Sequence, residues 1–144
     1  MFKVFFDASV IFSACQSSNG GSRRLIELVK TSKMIGITSQ TVIEEVEKNT
    51  DKFSALFPFA SFIKDNNFFV RSKITLTEIK PYQNLIEAKD AHVVAGAVLT
   101  ECDYLVTLDK KHLNNSRIKS FIVQIKIVSP KELLGILAVS FLDI

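Results

Sequence analysis

The sequence predicts an α/β protein, a three-layer α/β/α domain built around a mostly parallel five-stranded sheet. Five short apolar segments alternate with stretches whose apolar residues have helical spacing. The predicted strands are Phe2–Phe6, Met34–Thr38, Phe68–Arg71, Tyr104–Leu108 and Gln124–Val128. Strands that alternate with helices form parallel sheets with both faces covered. Residues 1–144 contain no internal repeat or linker, and 47% hydrophobic residues suffice for one core, so we predict a single domain.

In the first half of the chain, Asp7 ends the first strand and a Gly-, Ser- and Asn-rich loop follows at Gln16–Ser22. Ser39 is a suitable N-cap for the helix after the second strand. Helices are predicted at Ala8–Ala14, Arg23–Lys33 and Gln40–Asn49.

In the second half, the helix that begins near Asp90 is apolar on every face except His92, which predicts burial on more than one side. Pro58 predicts a bend near Phe57 within a helix at Asp51–Asp65. The remaining predictions are a connector at Ile74–Leu85, a loop at Asn114–Lys119, and a C-terminal helix at Lys131–Val139 that starts at Pro130.

The composition restricts the class of protein. No apolar run is long enough to span a bilayer, and Asp7 interrupts the first apolar segment, so we expect a cytoplasmic protein without membrane contact. Cys15 and Cys102 are expected to be reduced and buried. A net charge of +3 and a pI near 8.9 weakly favour a polyanionic partner.

Three acids are predicted to meet at one edge of the sheet. Asp7 and Asp109 both follow apolar strands, and the carboxyl ends of parallel strands lie at the same edge, where ligands bind in open α/β sheets. Asp90, at the start of the buried helix, is expected to point its carboxylate toward that edge.

A fourth acid is expected from the helix at Gln40–Asn49. At 100° per residue, Glu44 lies about 150° from the centre of the apolar face and should face solvent, whereas Glu45 and Glu47 lie about 105° and about 95° away. We favour Glu45 because it is on the flank nearer the end of the preceding strand.

Each acid alone has an ordinary structural explanation, as a strand end, a helix cap, a turn residue or a solvated helix residue. Together they repel one another unless a cation or a proton joins them. Carboxylate oxygens without a Cys and His ligand set indicate Mg²⁺ or Mn²⁺ rather than zinc. Such a site is suited to metal-assisted hydrolysis of a phosphodiester.

The basic residues and histidines are less specific signals. His92 is expected to be a core or boundary histidine. His112, with Lys110 and Lys111, is expected to form a solvated basic turn, although a phosphate contact is an alternative. Arg23 is a further candidate for contact with a nucleic-acid backbone.

Four segments together resemble PIN-domain ribonucleases, and among them the single-domain toxins of VapBC-type toxin–antitoxin pairs. The segments are VFFDAS, SQTVIEEV, KDAHVVAGA and CDYLVTLDKKHL, and the resemblance extends from Met1 to about Leu134. It implies a sheet of order 3-2-1-4-5 and a Mg²⁺- or Mn²⁺-dependent endoribonuclease acting on single-stranded RNA.

The resemblance also implies roles for individual residues. It places metal-binding acids at Asp7, Glu45, Asp90 and Asp109, and the small hydroxyl residues that accompany the first and last acids at Ser9 and Thr107. It implies a homodimer and a cognate antitoxin. The phenylalanines between Phe53 and Phe69 are a candidate dimer interface or, equally, part of the core.

Other functions remain open on the sequence alone. A catalytically silent PIN scaffold that binds RNA or a protein partner is the main alternative, and the presence of all four acids argues against it. A receiver domain needs its acid after the third strand, where none follows Phe68–Arg71. A haloacid-dehalogenase-like phosphatase needs a second acid two residues after the first, where Ser9 stands.

Overall fold

The protein folds around a five-stranded parallel sheet with the order β3-β2-β1-β4-β5. The computed structural model describes residues 1–48 and 59–142. The strands are β1 (Lys3–Phe6), β2 (Ile35–Ser39), β3 (Phe69–Arg71), β4 (Tyr104–Val106) and β5 (Lys126–Val128). All four strand pairings are parallel, so the predicted α/β/α fold and its strand order are confirmed.

Helices cover both faces of this sheet. They are α1 (Ala8–Gln16), α2 (Gly21–Lys30), α3 (Gln40–Lys48), α4 (Phe59–Asp65), α5 (Leu76–Ile79), α6 (Ala88–Leu99), α7 (Ser116–Phe121) and α8 (Pro130–Leu142), with a 3₁₀ turn at Lys80–Tyr82. None of the helices in the described parts of the chain is long and apolar enough to cross a membrane.

The alternation of side chains along β1 creates two cores. Val4 and Phe6 point to the layer formed by α1, α2, α4 and α8, and Phe5 points to the layer formed by α5, α6 and α7. All three side chains are fully buried. The chain thus buries apolar side chains on both sides of β1, which is typical of central parallel strands.

Helix α6 packs closely against β1, as its apolar sequence predicts. Every residue from Ala91 to Ala97 is buried, including His92. A Cβ atom on Gly96 would lie 2.8 Å from the ring of Phe5, so glycine is required for the close approach of helix and strand. This contact fixes the start of α6 relative to the end of β1, the two places where Asp90 and Asp7 are found.

Two segments differ from the sequence prediction. The predicted loop at Asn114–Lys119 is wrong, because Asn115 caps α7 by accepting a hydrogen bond from the Ile118 backbone N–H at 3.0 Å. The predicted connector after β3 contains α5, which begins with a reciprocal capping box between Thr75 and Glu78.

The remaining predictions concern the segment around Phe57 and the two cysteines. The bend predicted near Phe57, and residues 53–58 of the candidate dimer interface, lie outside the described residues. Cys15 and Cys102 are both free thiols, with Cys102 buried and Cys15 only partly so.

Candidate metal centre

Asp7 stands at the end of β1 and is held there by three donors. Its carboxylate accepts hydrogen bonds from the Ala8 backbone N–H at 2.8 Å, the Ser9 hydroxyl at 3.0 Å and the Thr107 hydroxyl at 2.7 Å. Burial raises the pKa of Asp7, as does the charge of Asp109, while these hydrogen bonds partly offset the rise. Asp7 is therefore fixed in orientation yet resists carrying an isolated charge.

The two hydroxyl residues also connect Asp7 to the segment after β4. The Ser9 hydroxyl accepts a hydrogen bond from the Leu108 backbone N–H at 3.2 Å, and the Thr107 hydroxyl accepts one from the Asp109 backbone N–H at 3.0 Å. Ser9 and Thr107 thus link the chain ends that carry Asp7 and Asp109. This arrangement suits residues that orient ligands, and the role of Ser9 and Thr107 in binding the cofactor stays a prediction.

Asp109 begins the turn that follows β4, and His112 holds both of its carboxylate oxygens. The His112 backbone N–H donates to Oδ1 at 2.9 Å, and His112 Nδ1 lies 3.1 Å from Oδ2. Burial acts to raise the pKa of Asp109, but the hydrogen bonds from His112 outweigh it and lower that pKa. Asp109 is therefore the acid of this group that most readily stays ionised.

Asp90 is the third residue of α6, whose N-cap is Glu87. Its carboxylate atom Oδ2 is buried and has no hydrogen-bond partner among the described residues. Burial raises the pKa of Asp90, and the charges of Asp109 and Asp7 raise it further, against a smaller opposite effect of His112 and Lys89. A buried carboxylate oxygen without a donor is unfavourable unless a proton or a cation satisfies it.

The structure brings Asp90, Asp109 and His112 together. Each offers one donor atom, and these three atoms lie within 4.8 Å of one another. Ligands at about 2.1 Å from one octahedral ion are roughly 3.0 Å apart when adjacent and roughly 4.2 Å apart when opposite. The group therefore fits a divalent cation with small side-chain adjustments, and the Asp90 carboxylate supplies one of its three donor atoms.

Glu45 lies on α3 and contacts His92 of α6. Its Oε1 atom is 2.8 Å from His92 Nε2, close enough for an ion pair when His92 is protonated, although the alignment is not that of a hydrogen bond. His92 follows Asp90 by two positions on α6, and residues at that spacing do not share a helix face, so this contact by itself does not bring Glu45 to Asp90. Its role as a metal ligand stays a prediction.

The expectation that Glu44 faces solvent is wrong. The Glu44 side chain is 33% exposed, less than the 40% of Glu45, and it forms an ion pair with Lys73 at 3.5 Å. The physical reason is that the segment after β3 packs along this flank of α3, where the Ile74 backbone N–H donates to the Thr41 hydroxyl. The helical wheel does not include this neighbouring segment.

The basic residues divide into exposed and engaged ones. Lys110 and Lys111 are exposed beside Asp109, as predicted. Arg23, in contrast, stacks over the Phe62 ring at 5.8 Å and donates from Nε to the Ser17 carbonyl at 3.5 Å. Arg23 is therefore already used to pack α2, and the two lysines are better candidates for contact with a phosphate backbone.

Sequence reasoning treated both histidines as ordinary residues. The structure places His112 within the donor group and His92 against Glu45. Spacing alone could have indicated His112, because a residue three positions after a turn-starting aspartate returns over its carboxylate. The contact between His92 and Glu45 joins two helices and has no local sequence signal.

A match between this sequence and a protein-family model identifies the family of the chain. Residues 3–111 match the model of the PIN domain, a span that includes all four predicted acids and both hydroxyl residues. The chain belongs to the PIN-domain family. No curated protein matches this PIN domain by sequence.

Solved structures with the same fold include VapBC2, FitAB and VapC20. VapBC2 from Rickettsia felis, bound to a promoter DNA fragment, aligns with a TM-score of 0.60 and 13% identity over 88% of this chain and 98% of that chain. FitAB bound to an IR36 DNA fragment aligns with a TM-score of 0.53 and 11% identity, covering 88% and 94%. VapC20 from Mycobacterium tuberculosis, a toxin that cleaves the sarcin–ricin loop, aligns with a TM-score of 0.52 and 12% identity, covering 85% and 98%. At these identities the similarity establishes the shared fold.

Proposed function

We propose that this PIN domain is a divalent-metal-dependent endoribonuclease that hydrolyses phosphodiester bonds in single-stranded RNA. The observation that carries the proposal is the meeting of Asp90, Asp109 and His112 donors within 4.8 Å, with the buried Asp90 Oδ2 lacking any partner in the described structure. The charge of Asp109 raises the pKa of Asp7, and the charge of Asp7 raises the pKa of Asp90.

The cation in this proposal is Mg²⁺ or Mn²⁺, held by Asp90 and Asp109 with Asp7 and Glu45 completing the site. When bound, such an ion supplies Lewis-acid charge that lowers the pKa of water and offsets the negative charge of a phosphodiester. The protein contributes the rigid placement of the acids. Ser9 and Thr107 orient Asp7 and keep it from turning away from Asp109.

Exposed lysines beside the acids support a polyanionic substrate. Lys110 and Lys111 follow Asp109 directly, and Lys89 precedes Asp90. Cations on both sides of a carboxylate group attract a phosphate backbone while the acids hold the ion between them. We assign contact with the RNA backbone to Lys110 and Lys111.

We further propose that the protein acts as the toxin of a toxin–antitoxin pair, as a homodimer that binds a cognate antitoxin. The support is the shared fold with VapBC2, FitAB and VapC20. A gene for a small DNA-binding protein directly upstream, whose product binds this chain and suppresses RNA cleavage, is the expected observation. A product that binds without suppressing cleavage would contradict the toxin assignment.

Incubation of the purified protein with matched single-stranded and double-stranded RNA, with Mg²⁺ or Mn²⁺ or chelator, tests the nuclease proposal. We expect cleavage of the single strand with metal and none with chelator. Asp109→Asn should abolish cleavage. Asp65→Asn is a matched control, because Asp65 is exposed at the end of α4, just before β3 begins, and thus at the opposite edge of the sheet. RNA binding without cleavage under all conditions would instead support a silent scaffold.

A further inference from the structure

A histidine at the carboxylate group changes the expected ligand set. The sequence predicts Mg²⁺ or Mn²⁺ from oxygen donors alone. In the structure, His112 contributes one of the three donor atoms that lie within 4.8 Å of one another, and its side chain is only 33% exposed. The question is whether the imidazole contacts the cation or only orients Asp109.

The backbone fixes His112 in this position independently of its ring. The His112 N–H donates to Asp109 Oδ1 at 2.9 Å, which closes the turn and brings the side chain back over the carboxylate. A substitution at His112 therefore removes the ring but leaves the bond that holds the turn. The imidazole is not needed to shape this segment.

The distance between ring and carboxylate fits two ligands of one ion. His112 Nδ1 lies 3.1 Å from Asp109 Oδ2. Adjacent ligands of an octahedral ion are roughly 3.0 Å apart when each bond is about 2.1 Å. Asp90, whose Oδ2 has no partner in the described residues, supplies the third donor of the same group.

We propose that His112 Nδ1 is a direct ligand of the divalent ion, together with Asp90 and Asp109, and that it makes the site prefer Mn²⁺ over Mg²⁺. This inference rests on the proposed metal site and specifies its ligands. Imidazole nitrogen binds first-row transition ions well, whereas Mg²⁺ strongly prefers oxygen. The competing account is that Nδ1–H only donates to Asp109 and orients it, which affects both ions alike.

The two accounts differ in what the metal itself reports. The chain contains two histidines, so a nitrogen coupling on bound Mn²⁺ has two histidine sources, His92 and His112. Pulsed EPR on tag-free protein loaded with Mn²⁺ should show a ¹⁴N coupling typical of imidazole. Labelling histidine with ¹⁵N in the wild-type protein should replace that coupling with one from ¹⁵N. The coupling should persist in His92→Gln and disappear in His112→Gln.

Binding constants give the second readout. Mn²⁺ affinity is measured from the EPR signal of the free ion, and Mg²⁺ affinity from competition, for the wild type, His112→Gln and the neighbouring control Lys111→Gln. Since loss of an outer partner alone weakens metal binding by about 10–100-fold, loss of a ligand should weaken Mn²⁺ binding by at least about tenfold. Mg²⁺ binding should change by less than about threefold, and Lys111→Gln should keep the wild-type ratio of the two affinities.

The inference is overturned if the wild type shows no histidine nitrogen coupling, if the coupling belongs to His92, or if His112→Gln weakens both ions equally. If His112→Gln fails to fold, the labelled wild-type spectrum and that of His92→Gln together decide the matter, because a histidine coupling that persists without His92 belongs to His112. RNA cleavage is scored separately with each metal. Metal-dependent cleavage without nitrogen coupling would contradict the role of His112 as a ligand and leave the proposed function intact. Nitrogen coupling from His112 without cleavage would support His112 as a ligand and contradict the proposed function.

Discussion

Replacing Asp90 by Asn should stabilise the metal-free protein. The substitution removes one of the like charges at the carboxylate group and keeps the size of the side chain. Burial and the charges of Asp109 and Asp7 raise the pKa of Asp90, so the ionised form is less favourable in the folded chain than in the unfolded chain. Glu87, not Asp90, is the N-cap of α6, so the substitution leaves the capping residue of the helix unchanged.

The size of the effect follows from the distance between the charges. Asp90 and Asp109 donor atoms lie within 4.8 Å. Two unit charges at that distance repel by about 0.9 kcal/mol in water and by about 3.5 kcal/mol at an effective dielectric of 20. An acid in the first turn of a helix contributes about 0.3–1 kcal/mol in the opposite direction. Because both carboxylates are partly exposed and His112 lies beside Asp109, we expect a net gain of about 1–2 kcal/mol for Asp90→Asn.

Thermal or denaturant unfolding in chelator measures this gain, with Asp65→Asn as the matched control. A gain of 1 kcal/mol corresponds to about 2–4 °C in Tm for a chain of this size.

The raised pKa of Asp90 determines how the stability difference between variant and wild type changes with pH. At a pH below the unfolded carboxyl value of about 3.9 the two proteins should be equally stable, and the advantage of the variant should grow as pH rises through the folded pKa. Mn²⁺ or Mg²⁺ should then raise the wild-type midpoint far more than that of the variant. A variant less stable than the wild type at pH 7 in chelator, with no metal effect on either, would refute the reasoning.

Three further predictions concern residues around the centre. Glu45→Gln should reduce RNA cleavage at least about tenfold, whereas Glu44→Gln, which loses only an ion pair with an exposed lysine, should leave it nearly unchanged; equal losses in initial-rate assays would contradict the assignment. Thr107→Val removes the 2.7 Å hydrogen bond to Asp7 and leaves a buried carboxylate oxygen with one donor fewer. The free energy of unfolding at pH 7 should therefore fall by about 1–3 kcal/mol. An unchanged unfolding midpoint would show that the Thr107 hydroxyl does not stabilise Asp7. Gly96→Ala places a Cβ atom 2.8 Å from the Phe5 ring. The free energy of unfolding, measured by chemical denaturation, should therefore fall by about 1–3 kcal/mol. A stabilised variant would show that α6 can move away from the sheet.

The features that sequence reasoning predicted well are those with a local, periodic signal. The strand that ends at Asp7 and the helix from Ala91 to Ala97 both have compositions that only burial explains, and the structure buries them. Once two parallel strands end in acids, their common edge follows from the direction of the strands. The chain itself places Asp7 and Asp109 on neighbouring strands β1 and β4.

The features that it missed depend on contacts between distant segments. Glu44 is partly covered because the segment after β3 packs along α3, and Glu45 meets His92 through a side-chain contact between α3 and α6. Neither contact has a signature in the helix that carries the glutamates. The cap of α7 was a different error, since Asn115 in a polar stretch reads equally well as a loop residue or as an N-cap.

The measurement that most directly tests the central claim compares metal occupancy with RNA cleavage in one titration. Mn²⁺ is added to metal-free protein, occupancy is read from the EPR signal of the free ion, and single-turnover cleavage of a labelled single-stranded RNA is followed at each concentration. We predict that cleavage rises with occupancy, and that Asp109→Asn shifts or abolishes both curves while Asp65→Asn changes neither. Cleavage that persists in chelator, or that reaches its maximum before Mn²⁺ binds, would contradict the claim that these acids hold the ion on which the reaction depends.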